Sequence, residues 1–142
     1  MINGSPKKGD STSKIISNYI ASAISQGNVV RHYNIKSINI EDNLLREIMS
    51  CEVLIFCFPL YVDSIPAHLL DLLVKLEILG FPQNSDLKVY CIVNNGFFEG
   101  IQNHIAIKQM KIWCKTVNIT WAQAIGIGAG EMIPFICDVP LG

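Results

Sequence analysis

Two short, almost wholly apolar runs constrain this chain more than any other feature: Glu52–Phe58 and Lys88–Val93. Each is too short for a buried helix. Each is apolar at successive positions, so both of its faces must be covered. Between such runs lie segments of helical periodicity. Ile15, Ile16, Tyr19, Ile20, Ala23 and Ile24 recur at helical spacing within Ser11–Gln26, and Gly27 ends that helix. Glu41–Met49 carries Leu44, Leu45 and Ile48. Ser64 reads as the N-cap of the next helix, with Pro66 in its first turn and Leu69, Leu70, Leu72, Leu73 and Leu76 along it. Ile101–Val117 reads as a fourth helix. Val29–Tyr33 and Ile119–Ile127 read as further strands.

With a first strand at Met1–Asn3, the order is β-α-β-α-β-α-β-α-β. That alternation predicts an α/β three-layer sandwich with helices on both faces of a parallel five-stranded sheet. Right-handed crossovers leave few topologies, and the strand order 2-1-3-4-5 fits. The 142 residues, 1–142, read as a single domain. Half of the residues are hydrophobic, as a sheet buried on both faces requires. The longest apolar stretch, Val53–Val62, is too short to span a bilayer and contains Pro59, so no membrane role is expected. The formal net charge is −1 and no basic stripe is visible, which argues against nucleic acid. Five cysteines at irregular spacing, with no C-x-x-C, give no metal or dithiol motif and fit a reducing cytoplasm. Cys57 and Cys91 sit inside the apolar runs and read as core. His32, His68 and His104 have no metal-ligand spacing, and no metal site is expected.

In a sheet of this order, the loops after strands one, three, four and five meet along one rim. The first loop runs Gly4-Ser5-Pro6-Lys7-Lys8-Gly9-Asp10 into Ser11-Thr12-Ser13. Hydroxyls, lysines and the unpaired N–H groups of a helix start make a cradle for a phosphate. The second loop, Pro59-Leu60-Tyr61-Val62-Asp63-Ser64, and the third, Asn94-Asn95-Gly96-Phe97-Phe98-Glu99-Gly100, carry aromatics and small polar groups. The fourth, Gly126–Glu131, is glycine-rich. Such a rim suits a flat, partly polar ring tethered to a phosphate. Taken singly, Tyr61 is as readily a packing residue, and Phe97 and Phe98 as readily anchor their loop.

These four motifs, in this order, resemble the NAD(P)H-dependent FMN reductases of the flavodoxin-like superfamily along nearly the whole chain. The resemblance implies bound FMN, with NAD(P)H as co-substrate and a small-molecule acceptor such as a flavin or quinone. It implies that Ser5, Lys7, Ser11, Thr12 and Ser13 hold the FMN phosphate. It implies that Pro59, Leu60, Tyr61, Asp63 and Ser64 line the ring, and that Asn94, Asn95, Gly96 and Phe97 border it. Asn95 and Gly96 would there offer N–H groups to the pyrimidine side of the flavin. No catalytic acid or nucleophile is required, because the cofactor carries the chemistry.

Against that family the chain looks shortened at both ends. The first strand is short for a central strand, and Glu131–Gly142 has no helical pattern where the fold normally closes with a helix. One face of the sheet near strands four and five would then lie bare, and a homodimer or higher oligomer is expected. Two other functions remain open: an electron carrier of flavodoxin type, or a non-catalytic remnant acting through interactions.

Overall fold

A computed structural model of the chain describes residues 1–137. Five parallel strands lie in the order β2-β1-β3-β4-β5. They are β1 Ile2–Asn3, β2 Tyr33–Asn34, β3 Val53–Pro59, β4 Lys88–Asn94 and β5 Thr120–Ile127. The helices are α1 Thr12–Ile24, α2 Asp42–Met49, α3 Ala67–Leu79, α4 His104–Thr116 and α5 Ile133–Cys137. The expected α/β sandwich and strand order are therefore present.

β3 and β4 carry the sheet, paired in register from Val53↔Lys88 to Pro59↔Asn94. Their alternation sorts side chains by size. Leu54, Phe56 and Phe58 of β3, with Val89, Cys91 and Val93 of β4, pack with Ile2 against Leu69, Leu72, Leu73 and Leu76 of α3 and Met110 and Trp113 of α4. On the other face the core is small: Met1, Ile16, Ala21, Cys57 and Ile92. β1 holds its central place with two residues because hydrogen bonds continue beyond both ends. Gly4 N–H donates to Cys57 O at 2.9 Å, and Tyr33 N–H to Met1 O at 2.9 Å.

Four expectations are corrected. Val29–Tyr33 is not a strand: β2 begins only at Tyr33, since β1 offers two residues to pair with, and Val29 stands 88% exposed. Ser64 is not the cap of α3, which begins after Pro66. Instead Tyr61 and Ser64 form a two-way backbone bridge around Val62 and Asp63, both at positive φ. The helix expected from Ile101 opens with a 3₁₀ turn, Gly100–Asn103, before α4. Finally, the stretch after β5 is not without helix. A 3₁₀ turn, Gly130–Met132, leads into α5, with Pro134 in its first turn, where a missing N–H is harmless. The rest of that stretch, 138–142, lies outside the described residues.

α2, α3 and α4 cover one face; α1 and α5 cover part of the other. Where they stop, Ile55, Ile92 and Ile125 floor an open trough of about 850 Å³ walled by Ile20, Ile24 and Val30. Among the described residues, the bare face expected near β4 and β5 is this trough. Among the described residues, no helix is long and apolar enough to cross a membrane.

Candidate functional site at the carboxyl rim

The rim is assembled by a chain of hydrogen bonds that joins all four loops. At the end of β1, Asn3 Oδ1 accepts from Ser5 N–H at 3.1 Å, folding the chain into a tight turn. Ser5 Oγ then accepts from Lys7 N–H at 3.4 Å. Gly4 sits where no side chain fits: a Cβ there would lie 2.7 Å from Leu69 Cδ2 and 3.0 Å from Phe58 Cβ. His68, next to Leu69 on α3, donates Nε2–H to Gly4 O at 2.8 Å. The first loop is thus held by α3 as well as by β1.

Ser11 caps α1, its Oγ accepting from Lys14 N–H at 3.2 Å. Thr12 and Ser13 occupy the first helical positions, where N–H groups have no intrahelical acceptor. Thr12 Oγ1 donates to Gly130 O at 3.0 Å, tying the first loop to the fourth. Ser13, fully buried, accepts from Asn94 Nδ2 at 2.8 Å, and the same amide donates to Phe58 O at 3.2 Å. Asn94 O accepts from Leu60 N–H at 2.7 Å, and Gly130 N–H donates to Asn95 O at 2.7 Å. The amino end of α1, the carboxyl ends of β3 and β4 and the segment after β5 are therefore locked together.

The candidate residues divide into two groups. Ser5, Ser11, Ser13, Asn94 and Asn95 are buried and committed to this framework. Lys7, Asp63, Gly96 and Phe97 face solvent, Thr12, Pro59, Leu60 and Ser64 are half-buried, and Tyr61 is 42% exposed. Ser64 Oγ donates outward to Gln109 Oε1 at 2.9 Å, away from the rim network. Asn95 N–H donates to Ile127 O at 3.0 Å, so in this fold that N–H extends the sheet and leaves Gly96 N–H as the donor at that turn. Asn95 Oδ1, by contrast, is buried without a partner. A buried acceptor without a donor costs about 1–3 kcal/mol.

Sequence reasoning missed His68 and Asn103. Asn103 is wholly buried, and its Nδ2 donates to Val93 O at 3.0 Å and Ile127 O at 3.2 Å, pinning β4 to β5 beneath the third and fourth loops. No local pattern announces such a contact. Burial favours the protonated thiol at three buried cysteines: it pushes both Cys57 and Cys114 up to about 12, and raises Cys91 as well. Among the described residues no cluster of three or more His, Cys, Asp or Glu can hold a metal.

No protein-family model and no curated protein sequence matches the chain. Solved structures do match. The apo form of an NADH:FMN oxidoreductase superposes with a TM-score of 0.72 at 14% identity, over 95% of this chain and 76% of that one. The Trp repressor binding protein from Bacillus subtilis gives 0.70 at 18%, over 89% and 81%. An FMN-dependent NADH-azoreductase from Bacillus anthracis str. Ames Ancestor, in complex with FMN, gives 0.69 at 13%, over 90% and 85%. At these identities the likeness establishes one thing, the flavodoxin-like fold.

Proposed function

We propose that the chain is an FMN-dependent NAD(P)H oxidoreductase that binds FMN at the carboxyl rim and reduces a small acceptor such as a flavin or quinone. One observation carries this reading. A helix start with free N–H groups, a solvent-facing Lys7 and the exposed rings of Tyr61 and Phe97 border a single rim that is otherwise rigidly bonded. The NADH:FMN oxidoreductase and the FMN-dependent NADH-azoreductase share this fold, which supports the same reading.

The residues present fit FMN. The N–H groups of Thr12 and Ser13, the hydroxyl of Ser11 and the ammonium of Lys7 would hold the phosphate. Pro59, Leu60 and Tyr61 would line one side of the ring and Phe97 another. Gly96 N–H and the orphaned Asn95 Oδ1 offer a donor and an acceptor to the ring's pyrimidine edge. Bound FMN supplies the hydride chemistry. The chain's part is to fix the ring, exclude water with the exposed aromatics and present preorganised donors where negative charge collects. The same reading extends to two copies associating over the bare trough, and places the protein in the cytoplasm.

Titration with FMN, read by flavin fluorescence, tests it. Saturable micromolar binding, with riboflavin at least about tenfold weaker for want of the phosphate, is expected. Lys7→Ala should weaken FMN and leave riboflavin unchanged. No FMN binding by a chain whose circular dichroism is intact would sink the reading. Sedimentation at two concentrations tests the association, and a monomer throughout would refute it.

A further inference from the structure

Among the described residues β5 ends the sheet, and part of its main chain has no partner strand there. Its pairing with β4 slips by one residue between Val89↔Trp121 and Tyr90↔Gln123, leaving Ala122 as a bulge. The bulge has a consequence for Trp121. Trp121 and Ala124 are three apart, which in a regular strand points them to opposite faces. Here both pack against the core on the α4 face. The bulge therefore swings the indole beneath α4.

α4 has two unlike flanks. On one, Gln109 accepts from Ser64 of the loop before α3. The other overhangs β5 and carries Lys108, Lys111 and Lys115, whose spacing of three and four makes one stripe about 10 Å long. These lysines, with Ile112 and Trp121, line a cavity of about 580 Å³. The ion pairs among the described residues use Lys14, Arg31 and Lys75, and none of the three stripe lysines. The facing strand, Thr120–Ile127, carries no charge at all.

We propose that this groove docks an extended acidic segment of a partner protein. Its carboxylates lie over Lys108, Lys111 and Lys115, its apolar side chains rest on Ile112 and Trp121, and its main chain runs beside the open edge of β5. Charge selects this occupant over a second copy of the chain. Two β5 strands pairing antiparallel about a two-fold axis bring both α4 helices to the same face, so the two lysine stripes would confront each other. The surface is separate from the rim and does not depend on a cofactor.

The test uses the whole chain, labelled with nitrogen-15, and a short end-blocked peptide of alternating glutamate and valine. Saturable shifts are expected at the amides of Trp121–Gln123 and at the Trp121 indole, weakening as salt rises. The triple variant K108E/K111E/K115E should lose about tenfold or more in affinity and should bind a lysine–valine peptide in its place. Three outcomes overturn the proposal: no saturable shifts at millimolar peptide, equal affinity of the charge-reversed variant, or binding of single-stranded DNA at the same lysines in preference to the peptide. Pairing of wild-type chains through β5, seen by sedimentation and abolished by Gln123→Pro, overturns it equally.

Discussion

The two faces of the sheet are built from the same strands and yet differ in kind. In β3, Phe56 and Phe58 point to the face of α2, α3 and α4, while Cys57 between them points to α1. The first face is closed: Leu69, Leu72, Leu73 and Leu76 show no more than 1% of their surface. The second is half closed, and Ile125 is 50% exposed. Stability therefore resides on the α3 side, and the α1 side bears fewer demands. The rim network joins the two, because Asn94 and Ser13 cross from the sheet to α1.

The largest test of that difference is truncation on the closed face. Phe56→Ala or Leu72→Ala should cost about 3–5 kcal/mol in denaturant unfolding, because neither site can collapse. Gly4→Ala comes next. Its Cβ would strike Leu69 and Phe58, costing about 1–3 kcal/mol, and the same change should cost less when made in a Leu69→Ala background than in the wild type. Ser13→Ala leaves Asn94 Nδ2 bonded to Phe58 O alone and should cost about 1 kcal/mol. Ile125→Ala on the open face should cost less than about 1 kcal/mol. A cost as large as that of Leu72→Ala would mean that something covers the trough in solution, and the contrast between faces would fail.

The smallest effect at neutral pH belongs to Cys57. Its folded pKa is raised by burial to about 12, above the thiol's ordinary 9.0. The folded state thus holds its proton more tightly than the unfolded chain does. The resulting stability is complete below pH 9 and is lost as pH rises toward 12. Denaturation midpoints should be flat from pH 6 to about 8 and fall above 9, with a shallower fall in Cys57→Ala. An unchanged slope in that variant would shift the cause to Cys91, Cys114 or Tyr33, which burial also raises.

Much of this architecture is legible because periodicity is a local signal. The runs around Phe56 and Ile92, and the leucines of α3, give the sheet order and the rim. What escapes depends on partners far away in sequence. β2 is short because β1 is short, which nothing near Val29 reveals. Ser64 has the chemistry of a cap but bonds to Gln109, which lies 45 residues on. Asn95 keeps a donor's chemistry while the neighbouring strand consumes its N–H. His68 and Asn103 look idle until the fold brings Gly4 and Ile127 to them. The lysines of α4 read as scattered charge until the bulge at Ala122 sets Trp121 beside them.

The seam between the third and fourth loops carries an evolutionary consequence. Gly100 and Gly126 face each other so closely that a Cβ on Gly126 would lie 2.7 Å from Gly100 O, and a Cβ on Gly128 would collide with Phe98 O. Bare main chain meets bare main chain there. The contour of that part of the rim is thus indifferent to which side chains surround it. Tyr61, Phe97 and their neighbours can change without altering that contour, while a side chain at any of these three glycines would force the two loops apart.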